Sequence, residues 1–201
     1  MAAVLLILAP GFEEIEAVAT MDILRRANLD LTVAALTPSL LVTGSHAITI
    51  QADTTLDQVL KTAPPPAQRF QALVLPGGPG TQTLHQDPRV GELLGQFAAA
   101  ERLLAAICAA PTVLAAQGLL ADHAATTYFD PDAYRQGTMG LPTGPIGEYR
   151  LDAVVVSGSR ITSRGAGTAV AFALTLVAQL VGIPEAERIA KGIHAVWTYP
   201  G

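Results

Sequence analysis

Cys108 is the sole cysteine of the 201-residue chain; it follows the apolar run Leu103-Leu104-Ala105-Ala106-Ile107 and precedes Ala109-Ala110-Pro111. A buried strand that turns at once into a helix presents the turn residue at the edge of the sheet, beside the helix N-terminus. Backbone N–H groups and the positive end of the dipole there favour a thiolate, lowering its pKa from about 8.5. Ala109 and Ala110 are small enough for the close approach such a turn demands. The same position also suits a buried cysteine packed as a small hydrophobe, and position alone does not choose between the two.

Other residues acquire chemical meaning only beside that sulfur. Gly77-Gly78 is a tight turn with no Cβ in front of its N–H groups, which with the N–H of Ala109 would form an oxyanion pocket. Glu13, Glu14 and Glu16 open a helix, where acids favour the macrodipole. For a glutamate turned inward beside a thiolate, either the acid is protonated and donates a hydrogen bond to sulfur, or two like charges repel. Helical spacing does not say which of the three turns inward. The histidines, His46, His85, His123 and His194, are scattered, none near the cysteine and none paired for metal binding. No zinc site and no Cys-His protease dyad is therefore expected. The Gly-x-Gly segments at Gly78–Gly80 and Gly165–Gly167 do not complete a dinucleotide fingerprint, so no cofactor is expected.

Alternating elements would position these groups. Ala2–Leu8, Leu31–Leu36, Gln71–Leu75, Leu103–Ile107, Ala124–Thr127 and Ala153–Ser157 read as strands, several of them continuous apolar runs. A helix is expected from Glu14 to Arg26, with Ile15, Val18, Ala19 and Ile23 at helical spacing. Others are expected after Thr54/Thr55, dying in Pro64-Pro65-Pro66; from Asp87 (N-cap) and Pro88; and from Pro111 to Gly118. Leu40–Ile50 predicts a hairpin on the sheet edge, and Gly137–Gly147 a Gly/Pro-rich loop. Two helices end the chain, one from about Gly167, apolar nearly all round, and one from Pro184 with Ile189, Ile193, Val196 and Trp197 on one stripe. This order predicts an α/β fold, a doubly wound, mostly parallel sheet flanked by helices, in one domain spanning 1–201.

Composition narrows the function. Half the residues are hydrophobic and 14% are charged, which suits a sheet covered on both faces or a subunit hiding further surface. A net charge of −5 without any Lys/Arg cluster disfavours nucleic-acid binding and polybasic membrane association. The longest apolar stretch, Ala169–Val181, is too short to span a bilayer, which takes about 20 residues. One cysteine gives no internal disulfide, and Met1–Leu8 lacks a basic segment and a cleavage site, so a reduced, cytoplasmic setting is expected.

Four segments, in order, carry a resemblance: Leu8-Ala9-Pro10-Gly11-Phe12-Glu13-Glu14-Ile15-Glu16, Val74-Leu75-Pro76-Gly77-Gly78, Ala105-Ala106-Ile107-Cys108-Ala109-Ala110-Pro111-Thr112, and Thr162-Ser163-Arg164-Gly165-Ala166-Gly167-Thr168. Over nearly its whole length the chain resembles the ThiJ/PfpI superfamily, in the branch of the Parkinsonism-associated deglycase and bacterial YajL-type proteins. The resemblance implies a flavodoxin-like, class I glutamine amidotransferase-like fold and a homodimer. It implies that Glu16 is the protonated acid bonded to Cys108, that Gly77, Gly78 and Ala109 surround the oxyanion pocket, and that Arg164 and Ala166 border the site. Relatives often carry proline in place of Ala166 and, in place of His46, an arginine that reaches across the dimer. Where some relatives place a histidine after a Thr-Thr pair, Thr126-Thr127 is followed here by Tyr128, and Ala109 stands where the protease-like branch has histidine. Peptidase activity is thereby disfavoured.

The expected activity is that of a cofactor-independent glyoxalase or deglycase acting on 2-oxoaldehydes, or on the glycated proteins and nucleotides they leave. A different expectation rests on the same sulfur: an oxidative-stress sensor or chaperone in which Cys108 is oxidised to sulfinic acid. A binding module with an inert cysteine is the third.

Overall fold

The computed structural model describes residues 2–136 and 140–200. Its centre is a seven-stranded sheet in the order β10-β11-β7-β6-β1-β2-β5. These strands are β1 (Ala3–Leu8), β2 (Asp30–Ala35), β5 (Thr54–Thr55), β6 (Ala72–Leu75), β7 (Leu103–Ile107), β10 (Val154–Ser157) and β11 (Arg160–Ser163). All neighbours run parallel except β10, which returns antiparallel beside β11. The expected doubly wound, mostly parallel sheet is what forms.

Alternation along the strands explains the two layers. Val4, Leu6 and Leu8 face a core shared with α1 (Glu14–Arg26), α8 (Ala169–Leu180) and α9 (Ile183–Gly192). Leu5 and Ile7 face the other core, shared with α2 (Leu56–Lys61), α3 (Pro66–Arg69), α4 (Thr81–Gln86), α5 (Pro88–Ala99) and α6 (Pro111–Ala116). Both faces are covered, which is why β1, β6 and β7 read as unbroken apolar runs. The helix ends follow their residues: Glu13 caps α1, Thr55 caps α2, and Asp87 with Pro88 opens α5.

Several elements differ from expectation. The hairpin of β3 (Leu41–Thr43) and β4 (Thr49–Gln51) forms its own small sheet. The Gly11 N–H donates to Thr43 O and the Ser45 N–H to Phe12 O, so the hairpin is tied to the β1–α1 loop, and Thr54-Thr55 takes the main sheet's edge. Ala124–Thr127 contributes only β8 (Ala124–Ala125), which pairs with β9 (Glu148–Tyr149) outside the main sheet. Strand β11 was not expected because Arg160, Thr162 and Ser163 break the apolar pattern, although all its residues are buried. The short helices α3, α4 and α7 (Pro131–Arg135) were also not expected. The last helix ends at Gly192, and His194 adopts φ +56°, so Val196 and Trp197 lie beyond it. Of the expected Gly137–Gly147 loop, residues 137–139 lie outside the described residues.

Strand order reverses between β1 and β6, because β1 leads to β2 on one side and the chain then returns to the other. In open sheets of this type ligands gather outside the carboxyl ends at that reversal. The ends of β1, β6 and β7 are neighbours there, and they lead into Glu16, Gly77-Gly78 and Cys108.

Phe97, fully buried on α5, tests the layer assignment. Phe97→Ala should cost about 3–5 kcal/mol, read as a fall in the urea midpoint at an unchanged slope. A loss below about 1 kcal/mol would place this side chain outside the core.

Candidate active site

The site begins with a strained turn. Cys108 directly follows β7 and adopts φ +66°, a left-handed conformation unfavourable for any residue with a Cβ. Holding it costs about 1–3 kcal/mol, and the surrounding bonds supply the restraint. The Cys108 N–H donates to Ser163 O at 2.9 Å, its carbonyl accepts from the Tyr128 N–H at 2.7 Å, and the Ala110 N–H donates back to Ile107 O at 3.1 Å. The sulfur is thereby turned out of the strand direction, between the start of α6 and the turn after β6.

That turn must approach closely. A Cβ on Gly77 would lie 2.6 Å from the Cys108 Cβ and 2.8 Å from Ile107 O. Gly78 adopts φ +89°, and a Cβ there would lie 2.6 Å from Glu13 N. Glycine is required at both positions, for proximity at the first and for conformation as well at the second.

Glu16 is completely buried in the first turn of α1. Its N–H is capped by the Glu13 carboxylate at 2.8 Å, and its Oε2 accepts from the Gly77 N–H at 2.8 Å. Its Oε1 has no N–H or O–H donor. The Cys108 thiol, coupled to the carboxyl by hydrogen bonding and charge, is the neighbour that completes the pocket. Two residues along a helix is about 200° of rotation, so Glu14 points the opposite way, toward the hairpin. There it accepts from the His46 N–H at 2.6 Å, the Ser45 hydroxyl at 3.1 Å and the Ile48 N–H at 3.4 Å, and pairs with His46 Nδ1 at 2.9 Å. Burial alone would raise Glu14, but the bonds from His46 and the neighbouring amides outweigh it and hold the carboxylate at about 2. The inward glutamate is Glu16.

The electrostatics correct one expectation. Burial pushes Glu16 up to about 7, against the opposing pull of the Gly77 N–H. Burial, and then the Glu16 charge and hydrogen bond, push Cys108 up to about 12, although the Gly78 and Ala109 N–H groups lower it. The isolated low-pKa thiol expected from a helix N-terminus is not what forms, because desolvation and a buried acid outweigh the amides. Two acids share one desolvated pocket, and their protons come off in two steps that belong to the pair and not to either residue alone. When the pair loses its first proton, the Gly77 N–H favours the negative charge on oxygen while those of Gly78 and Ala109 favour it on sulfur.

Above the sulfur lies a cavity of about 380 Å³, lined by Gly78, Pro79, Gln82, Cys108, Ala109, Tyr128 and Leu141. Glu16 and Gly77 lie beneath it. Tyr128 forms one wall, its ring near Gly165, and among the described residues its hydroxyl has no hydrogen-bond partner, Cys108 included. Arg164 and Ala166 are half-buried on the loop after β11 behind Tyr128, and they do not line the cavity. Pro79, Gln82 and Leu141 were not picked out from the sequence. Gln82 sits on α4, which has no side-chain cap to announce it. Leu141 is a lone bulky apolar residue in a Gly/Pro segment, which is a usable signal. Glu13, Glu14 and His46 bring one donor atom each within 4.8 Å of one another. The Glu13 carboxylate is already committed to capping α1, and that of Glu14 to the hairpin.

The sequence pattern of the DJ-1/PfpI family matches residues 2–179. Drosophila melanogaster protein dj-1beta is 39% identical over 191 residues, 94% of this chain and 95% of that protein. The Caenorhabditis elegans glutathione-independent glyoxalase DJR-1.2 is 34% identical, over 89% of this chain and 88% of its own. A crystal structure of a cysteine-to-alanine mutant of the DJ-1 superfamily protein STM1931 from Salmonella typhimurium superposes with a TM-score of 0.85. It is 36% identical and covers 98% of this chain and 100% of that one. With the reversal-point site and these relatives together, the chain belongs to the DJ-1/PfpI family.

Proposed function

We propose that this protein is a cysteine-dependent, cofactor-independent enzyme of glyoxalase or deglycase type, acting through Cys108 with Glu16 on reactive 2-oxoaldehydes or their adducts. The observation that carries the reading is the buried Glu16–Cys108 pair at the floor of a cavity, with two N–H groups on the sulfur. The similarity to a glutathione-independent glyoxalase supports it.

The pair reacts from the form with its charge on sulfur and its proton on Glu16. Sulfur bonds to the aldehyde carbon, the carbonyl electron pair moves to oxygen, and that oxygen takes the Glu16 proton beside the Gly78 and Ala109 N–H groups. The hemithioacetal carbon then gives its hydrogen, as a proton, to the Glu16 carboxylate, and a proton is returned to the neighbouring carbon through an enediol. This isomerisation oxidises the aldehyde carbon and reduces the ketone carbon, so no external oxidant enters. Water adds to the resulting thioester, the C–S bond breaks, and a 2-hydroxy acid leaves with the thiol restored. In this scheme Gly77 positions Glu16, and Arg164, Ala166 and Tyr128 form the outer border of the site. The segment 1–201 works as one domain, and a reducing cytoplasm keeps Cys108 a thiol.

A second reading draws on the same pair. Hydrogen peroxide would take Cys108 to the sulfenic and then the sulfinic acid, each step transferring one oxygen atom. No second cysteine is present to divert it into an intrachain disulfide, and a protonated Glu16 would hydrogen-bond the sulfinate. A homodimer is also proposed, supported by exposed Ile15 and Val18 on α1 beside exposed Leu41 and Ile48 on the hairpin. Val18→Asp should then convert a dimeric sedimentation mass to that of the 20.8 kDa monomer; a wild-type monomer would refute it.

Lactate formation from methylglyoxal tests the enzyme reading. Wild type should exceed Cys108→Ser by at least about 10²-fold, the low end of what positioned acid–base groups contribute. Equal rates would remove the cysteine from the chemistry. Mild peroxide followed by mass spectrometry tests the second: a stable two-oxygen adduct on Cys108 is expected, and an unmodified thiol contradicts it.

A further inference from the structure

The walls above Cys108 carry more information than the floor. Pro79, Leu141 and the ring of Tyr128 are apolar, Gln82 is neutral, and Gly78 and Ala109 offer backbone. Among the described residues, no Lys, Arg, Asp, Glu or His lines the cavity. Its volume, about 380 Å³, lies in the range of sites that enclose a whole small ligand. One water takes about 30 Å³ of liquid, so the space holds on the order of a dozen water-sized groups. Methylglyoxal, with five heavy atoms, leaves more than half of it unfilled.

We infer that the cavity selects 2-oxoaldehydes, or their adducts, that carry an uncharged aromatic or bulky apolar group, over both three-carbon and anionic substrates. This rests on the glyoxalase reading above and names its substrate class. The aldehyde carbon meets the sulfur while the remainder of the substrate lies against Pro79, Leu141 and Tyr128. An aromatic ring can meet that of Tyr128 edge-on or offset. An anionic substituent finds no cation among the lining residues and shares the site with the negative charge of the Glu16–Cys108 pair. The same absence favours departure of the product, because the 2-hydroxy acid formed is itself an anion.

The chemistry of the inferred turnover balances as before: one water is consumed, the aldehyde carbon is oxidised and the adjacent carbonyl carbon reduced, and phenylglyoxal becomes mandelate. The test compares kcat/KM for phenylglyoxal, 4-carboxyphenylglyoxal and methylglyoxal, each divided by its rate of addition to a free thiol. Phenylglyoxal should exceed methylglyoxal by tenfold or more, and the carboxylated analogue should fall back by at least as much. Leu141→Asp should lower the phenylglyoxal-to-methylglyoxal ratio toward one. Acetophenone, which cannot turn over, should slow iodoacetamide alkylation of Cys108, whereas benzoate should not. Methylglyoxal equal to or better than phenylglyoxal, or no discrimination against the carboxylate, overturns the inference and leaves the glyoxalase reading standing. Absence of Cys108-dependent turnover with all three overturns both.

Discussion

Two acids packed side by side, each of which burial makes costly to ionise, are the constraint on which this site is built. Glu16 is fully buried and Cys108 partly so, and neither tolerates a second charge beside it. The proton that remains is shared, and its location follows from which amides point where. One N–H, from Gly77, supports charge on the carboxylate, and two, from Gly78 and Ala109, support charge on sulfur. A hydrogen-bonded acid held protonated beside a sulfur is both a proton source for an addition reaction and a partner for an oxidised sulfur. The same few atoms therefore underlie enzymatic and oxidative chemistry.

The remainder of the structure serves that arrangement. The sulfur reaches the amides only because Cys108 takes φ +66°, and that conformation is held by bonds from β11 and from the chain at Tyr128. The Gly77-Gly78 turn reaches the sulfur only because Gly77 has no Cβ to collide with the Cys108 Cβ. Strand reversal between β1 and β6 is what makes three loops distant in sequence into one pocket. Two apolar cores, one on each face, supply the rigidity that keeps these contacts in register.

Much of this was legible from residue types. Continuous apolar runs at Leu103–Ile107 and Ala2–Leu8 indicated buried parallel strands, and Asp87-Pro88 marked a helix start. Cys108 and Gly77-Gly78 stood out because glycine and small residues at a strand's end imply close backbone approach. What was not legible depended on tertiary contacts. Nothing local distinguishes Glu14 from Glu16, since both suit a helix start; the hairpin claims one and the Gly77 N–H the other. Strand β11 was hidden because its polar residues are buried against partners far away in sequence, with the Thr162 hydroxyl accepting from the Thr126 N–H at 2.9 Å. The thiol's titration was not legible because dipole arguments count amides and not the desolvation of the group itself.

The central claim is that Glu16 and Cys108 titrate as one unit. It is tested most directly by the rate of iodoacetamide alkylation at Cys108 as a function of pH, in the wild type and in Glu16→Gln. Loss of the first shared proton should give the wild type a reactive midpoint near 7. In Glu16→Gln the sulfur stays desolvated without an acid to share its proton, so the midpoint should rise above that of a free thiol, about 8.5. A midpoint that is the same in both proteins would contradict the account.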